Sequence, residues 1–264
     1  MEQIVLNGLI TGAQYALIAL GLTLIFSLMN VLNFAHGQMY VFGGFVTYYV
    51  YSKLGLPFIV AVAASGISLA LIGAIFERYL FRTVLKRSQR EESTMLLAAG
   101  TAFFLDAVIL IVFGEKQRSV SKIVDGVFFG EAYGLDIIIP YDRIVIGLIA
   151  LVMIMAFILF MQYSTPGRAM RALAQDKTAA KLMGVDLSKY SLIGFALGAM
   201  LAGVVGGLLV SITGVSSGIG GGISIKAFTM VMIGGAGVIS GAIWGGFILG
   251  MIEAFGLYYL PGDI

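Results

Sequence analysis

The sequence predicts an all-α fold, a polytopic transmembrane helical bundle of about eight spans, some of them short or discontinuous. Three observations carry that expectation. Apolar residues make up 59% of the 264 positions and charged residues 11%, with a mean hydropathy of +1.01. A soluble chain has no way to keep that much apolar surface out of water. Apolar runs long enough to cross a bilayer recur from one end of the chain to the other. Charge, finally, is clustered: ten of the sixteen Lys and Arg residues fall within Arg78–Arg90 and Arg168–Lys189. The length fits one membrane domain over 1–264, and the loops leave no room for a second, water-soluble one.

Cysteine is absent, which excludes disulfides and thiolate chemistry. The net charge of +2 says less than where the charges lie. Met1-Glu2 brings no basic n-region, and no small-residue cleavage site follows, so the first apolar run reads as a retained span.

Val5 to Met29 is that first span, and its Gly8-xxx-Gly12 spacing reads as a helix-packing feature. Next comes Asn30-Val31-Leu32-Asn33-Phe34-Ala35-His36-Gly37-Gln38, followed by an apolar piece, Met39 to Tyr51. At about 1.5 Å per residue that piece is too short for a hydrocarbon core of about 30 Å. Either a span begins near Val31 with Asn33, His36 and Gln38 inside it, or the helix breaks at Gly37. Both put polar groups at membrane depth, where irregular backbone survives only if buried in protein or facing water. A third span runs from Phe58 to Phe81 and ends in Arg78, Arg82, Lys86, Arg87 and Arg90. Glu77 sits beside Arg78 and reads as a snorkelling side chain.

Thr94 to Phe113, carrying Asp106, is the fourth span. Gly114 to Asp142 is net acidic and contains two weak strand patterns, Val120–Val124 and Leu135–Ile139. Arg143 to Met161 is the fifth span and Tyr190 to Ile212 the glycine-dense sixth. Gly214 to Gly222 is too rich in glycine for a regular helix, at about 1 kcal/mol for each interior glycine. Ile223 to Gly235 is a second short apolar piece, and a last span reaches Leu260. By the positive-inside rule the two basic stretches are cytoplasmic and the acidic loop is outside. The amino terminus lies outside if Val31 to Tyr51 crosses fully, and inside if it re-enters.

Between the fifth and sixth spans the chain turns polar. Thr165 reads as a helix cap with Pro166 behind it at N1, and Gly184 as the left-handed stop, giving one short basic amphipathic helix. Generic physics leaves three readings open: a solvated loop, a helix lying on anionic lipid, and a docking helix gripped by a soluble partner. His36, the only histidine, reads as a structural hydrogen-bonder rather than a proton relay, and no second histidine or cysteine joins it to hold a metal. Asp106 and Glu253 are the deepest carboxylates, each expected to pair with a neighbouring helix or stay protonated. No Gly-xxxx-Gly-Lys-[Ser/Thr] phosphate loop is present.

The run Thr-Pro-Gly-Arg-Ala-Met-Arg-Ala-Leu-Ala-Gln-Asp…Ala-Ala-Lys-Leu-Met-Gly-Val over Thr165–Val185 resembles the ATPase-contacting loop of branched-chain amino acid ABC importer permeases. Asn-Phe-Ala-His-Gly at Asn33–Gly37 and the glycine-rich Met232–Ala242 resemble the same family, so the likeness covers essentially the whole chain. Members of the family continue through one more hydrophobic segment, so the stop at Ile264 is either a truncation or a departure.

The resemblance implies a coupling loop at about 164–190, with ATPase contacts from Thr165, Gly167, Arg168, Arg171, Ala172, Asp176, Ala179, Ala180 and Gly184. It supports a special backbone at Asn33, His36 and Gly37, which with Gly43 and Gly44 are candidates for the translocation path. It implies a multi-pass protein of a bacterial-type inner membrane, and partners comprising a homologous second permease, two ATPases, an extracytoplasmic solute-binding protein and membrane lipid, without nucleic acid. This chain would bind no cofactor, ATP sitting on the partner subunits. The rival reading is a stand-alone ion-coupled secondary transporter using Asp106, Glu253 or His36 as relay. An intramembrane hydrolase stands further off, since no nucleophile–base pair is visible.

Overall fold

The computed structural model describes residues 1–87, 91–130 and 137–259. Arg90, Glu131, Leu135, Asp136 and Leu260, named above, lie outside that set. Helix α1 (Glu2–Met29) is the axis of the bundle. Its sequence is apolar all round rather than along one stripe, and such a helix is buried on all sides. Leu17, Leu20, Leu24 and Ile25 are fully covered. The helix stops at Asn30, whose left-handed φ of 56° is tolerated by asparagine.

Helix α2 (His36–Tyr48) follows and ends in a π-helical turn, Tyr49–Lys53. Helix α3 (Phe58–Phe76) passes through a second π-turn, Glu77–Phe81, into α4 (Arg82–Arg87). Helix α5 (Glu91–Phe113) leads to a small antiparallel hairpin of β1 (Val127–Phe129) and β2 (Ile138–Pro140), with Phe128 opposite Ile139. Then come α6 (Tyr141–Tyr163), the short pair α7 (Thr165–Gln175) and α8 (Lys177–Leu182), and α9 (Leu187–Leu209). A 3-10 turn at Ser217–Ile219 starts α10 (Gly220–Gly234), and α11 (Ile239–Tyr259) is the last described helix. Among the described residues, seven helical runs are long and apolar enough to cross a membrane. The eighth crossing is the discontinuous one that contains α2.

Close backbone approach holds the centre together. Helix α11 runs antiparallel to α1, and a Cβ on Gly250 would lie 2.5 Å from the Gly12 nitrogen. This contact uses the Gly8-xxx-Gly12 spacing, since only small residues let two membrane backbones meet. Helix α9 forms the second axis: a Cβ on Gly43 of α2 would fall 2.5 Å from Gly203 Cα. Helix α5 attaches at its end, where Phe113 stacks on Phe45 with ring centroids 4.6 Å apart.

The two faces of the bundle separate by charge. Arg82 donates to the Ser188 carbonyl at 2.7 Å, which joins the two basic stretches on one face. On the opposite face the acidic loop pairs with the segment that follows α9, the Arg118 and Val215 backbones exchanging bonds of 2.8 and 2.7 Å. Gln3 clamps β2 there as well, donating to the Ile138 carbonyl at 2.8 Å and accepting from its N–H at 2.7 Å. Met1 therefore lies on the acidic-loop face. Val31 to Tyr51 crosses fully, but it is helical only from His36 onward.

Several local expectations are corrected. Thr165–Gly184 is not one helix: Asp176 is extended, at φ −152°, and caps α8 with bonds to the Thr178 and Ala179 N–H groups. The cap of α7 is Ser164, whose Oγ accepts from Gly167 N–H at 3.0 Å, and not Thr165. The interruption near the second span falls at Asn30–Ala35 rather than at Gly37, which lies in the first turn of α2. Gly220 to Gly222 do form helix, the first turn of α10; Gly220 packs against Gln38 where a Cβ has no room, and packing overrides propensity. Val120–Val124 is not a strand, because Val120 N–H bonds the Val210 carbonyl and Ile123 N–H the Asp142 carboxylate. Glu77 does not snorkel: it is buried and takes a bidentate pair from Arg82, at 3.1 and 2.7 Å.

Candidate functional site: a basic elbow and a charged cavity

Two regions of the chain are built for more than packing. The first is the elbow α7–α8 on the basic face. Helix α7 is strongly amphipathic and buries Met170 and Leu173. Gly167 sits against the end of α6, where a Cβ would come within 2.6 Å of Met161 Cα. Arg171 ties back to the Gln162 carbonyl at 3.2 Å. Helix α8 closes with the backbone pattern of a Schellman cap, Gly184 N–H to the Lys181 carbonyl and Val185 N–H to the Ala180 carbonyl, both 3.0 Å. Gly184 supplies the required left-handed residue at φ +82°.

Of the residues expected to meet an ATPase, Thr165, Arg168, Arg171, Asp176, Ala179 and Gly184 are exposed and Ala172 is half-buried. Gly167 and Ala180 are buried against the chain's own helices. Sequence reasoning passed over the tip: Leu182 and Met183 are each 84% exposed. Beside the tip a cleft of about 550 Å³ is lined by Lys181, Asp186, Glu77 and Arg82.

The second region lies at mid-depth. Asn33 is fully buried, and its Oδ1 accepts from the Ala35 N–H at 3.1 Å, turning the chain into α2. His36 is fully buried and its Nε2 is 3.1 Å from the Ile18 carbonyl, near the middle of α1. Ser224 of α10 clasps both broken elements, accepting from Gly37 N–H at 3.0 Å and donating to the Phe34 carbonyl at 2.9 Å. The amino-terminal ends of α2 and α10 therefore meet inside the bundle and run to opposite faces. Gly43 and Gly44 pack against α9. None of Asn33, His36, Gly37, Gly43 and Gly44 lines the large cavity; the first three build the junction beside it.

That cavity, of about 760 Å³, runs down α1 from Gln3 past Asn7, Thr11 and Gln14 to Tyr15 and Ile18. At about 1.5 Å per residue this is a depth of about 22 Å. Its wall holds an ionic cluster. Lys226 of α10 donates to Glu253 of α11 at 2.7 Å and to the Tyr15 hydroxyl at 2.9 Å, and that hydroxyl donates to the second Glu253 oxygen. Glu253 thus pairs with a neighbouring helix, as expected, while Lys226 went unnoticed in the sequence. Asp106 is half-buried on α5, away from this cluster.

Discontinuous helices that meet at mid-depth beside a cavity holding charged side chains are the architecture of a membrane transport domain. Comparison with known proteins narrows the class to one family. The chain belongs to the branched-chain amino acid transport system permease component family, whose model matches residues 4–262. It is 34% identical to the high-affinity branched-chain amino acid transport system permease protein BraD of Pseudomonas aeruginosa, over 97% of this chain and 86% of that one. It is 32% identical to LivH of Escherichia coli, with the same coverage. The probable LivH of Methanocaldococcus jannaschii is 29% identical over 98% of this chain and 82% of its own. Among solved structures, PsaBC from Streptococcus pneumoniae in complex with Fab aligns with a TM-score of 0.47 and 15% identity, over 97% of this chain and 83% of that one. Membership of a permease family does not favour the stand-alone ion-coupled reading.

Proposed function

We infer that the chain is the membrane-spanning subunit of an ATP-driven importer of branched-chain or related amino acids, in a bacterial-type inner membrane. Its basic face is cytoplasmic and receives the ATPase subunits. The acidic-loop face is extracytoplasmic and receives a solute-binding protein. A second, homologous permease completes the pathway, and ATP is bound and hydrolysed by the partners.

The elbow α7–α8 carries the reading. It has caps at both ends, is fastened to α6 through Gly167, Arg171 and Ser164, and presents two bare apolar side chains, Leu182 and Met183, to the basic side. Exposed apolar side chains on a rigid, otherwise polar element mark a docking tip. Closure of the ATPases displaces such an elbow as a rigid body. Helix α9 carries the displacement inward, because Gly203 and Gly198 pack its backbone directly on α2 and α1.

The test is Leu182→Asp combined with Met183→Asp in the reconstituted importer. Substrate-stimulated ATP hydrolysis is expected to fall at least about tenfold, the loss of about 1.4 kcal/mol of docking energy, while the permease still inserts. Hydrolysis equal to the parent's would remove the elbow from the coupling path.

A further inference from the structure

The ionic cluster in the cavity wall has a chemistry that its helices do not need. A lysine and a glutamate at membrane depth are expensive, and two methionines of similar length would pack α10 against α11 without any charge. Nor is the pair sealed away: the Lys226 side chain is 46% exposed and that of Glu253 34%, both toward the cavity that they line. A charged pair at this depth faces water or a solute rather than hydrocarbon. The pair itself is neutral, and the other charge in the lining is Arg143, near the mouth at the start of α6, so at the pair a simple anion or cation would satisfy one partner and strand the other. A zwitterion replaces both at once.

The rest of the wall suits such a guest. Around the pair stand Ile10, Ile18, Leu209, Ile219 and Ile223, with Asn7, Thr11 and Arg143 toward the mouth. A volume of about 760 Å³ lies within the range of sites that enclose small molecules, about 300–1,000 Å³. Tyr15 holds one Glu253 oxygen and takes a hydrogen bond from Lys226, so both charged groups are pre-positioned.

We propose that this cavity is an intramembrane binding site for a zwitterionic aliphatic α-amino acid, with Glu253 receiving the α-ammonium group and Lys226 the α-carboxylate. The aliphatic side chain lies against Ile18, Ile219 and Ile223. The proposal rests on the importer reading, and adds to it a solute contact inside the permease itself.

The experiment uses the complete reconstituted importer. Binding of radiolabelled L-leucine is measured without the solute-binding protein and without nucleotide, and uptake is measured with both. The parent should bind L-leucine saturably, and 4-methylpentanoate and 3-methylbutylamine, each lacking one charge, should compete at least about tenfold less well. The decisive variant exchanges the pair, Lys226→Glu with Glu253→Lys. A purely structural ion pair survives that exchange, so parent-like binding and uptake would overturn the proposal. A site that reads a zwitterion has its charges reversed, and L-leucine binding should fall at least about tenfold. Should the exchanged protein not assemble, Ile223→Trp fills the cavity with the pair intact and should abolish binding; binding unchanged there overturns the site equally. If the parent complex takes up no L-leucine at all, the importer reading falls first and this site with it. Uptake without saturable binding to the permease overturns the site alone.

Discussion

Gly43 is the residue on which α2 depends. With Gly203 Cα 2.5 Å from where its Cβ would be, no side chain fits without parting α2 from α9, and overpacking of that kind costs about 1–3 kcal/mol. Gly43→Val should lower the thermal unfolding midpoint of the purified permease and its yield in the membrane. A parent-like midpoint would mean that the two helices separate freely.

Single residues also mark how much of the site the sequence could disclose. Gly184 was legible, because a glycine after a capped amphipathic run has few other uses, and its φ of +82° agrees. Asn33 and His36 were legible as polar groups at depth, although not Asn33 as the residue that turns the chain into α2 nor His36 as a neighbour of the Ile18 carbonyl. Lys226 and Ser224 were not. Lys226 lies 27 residues from its partner Glu253, in a piece so short and glycine-flanked that its exposed face cannot be told from its buried one. Ser224 is an ordinary serine until α10 is laid against the start of α2. Pairings of this kind are set by tertiary contact, and periodicity does not encode them.

Among the elements, the elbow is where local chemistry and coupling meet. Its amphipathic half, α7, follows from the spacing of Met170 and Leu173, which land on the buried side. The break after Gln175 was missed because the apolar pattern runs across it. Asp176 has the propensity to cap, but nothing in one sequence says that it will cap here rather than sit on a helix surface. Its Oδ1 satisfies two backbone N–H groups, at 2.7 and 3.0 Å. Removing such a cap costs about 0.5–2 kcal/mol, which a six-residue helix has little reserve to absorb. Asp176→Ala should therefore speed amide hydrogen exchange at Thr178 and Ala179 and reduce substrate-stimulated ATP hydrolysis, leaving exchange in α6 and α9 unchanged. Asp176→Asn, which can still cap, should restore most of both. Equal exchange in the Asp176→Ala variant and the parent would show that α8 is held by its partners rather than by its cap.

The whole molecule makes one commitment that composition alone left open, the side on which the chain begins. The positive-inside rule orients the two basic stretches and the acidic loop, but it gives the amino terminus no side until the crossing at Val31–Tyr51 is known. The structure settles the relation through contacts. Gln3 bonds both backbone groups of Ile138, and the Tyr259 hydroxyl reaches Met1 Sδ at 3.7 Å, so the start of α1 and the end of α11 share the acidic-loop face. The two basic stretches meet on the other face, at Arg82 and Ser188. Because the chain has no cysteine of its own, single cysteines placed at Glu2, Ser119 and Thr178 report topology without background. An impermeant thiol reagent added to intact cells should label the cysteines at Glu2 and Ser119 and spare the one at Thr178. In inverted vesicles the pattern should reverse. Labelling of Glu2 and Thr178 from the same side would mean that Asn30–Ala35 turns back instead of carrying the chain across, and the meeting of α2 and α10 at mid-depth would have to be abandoned with it.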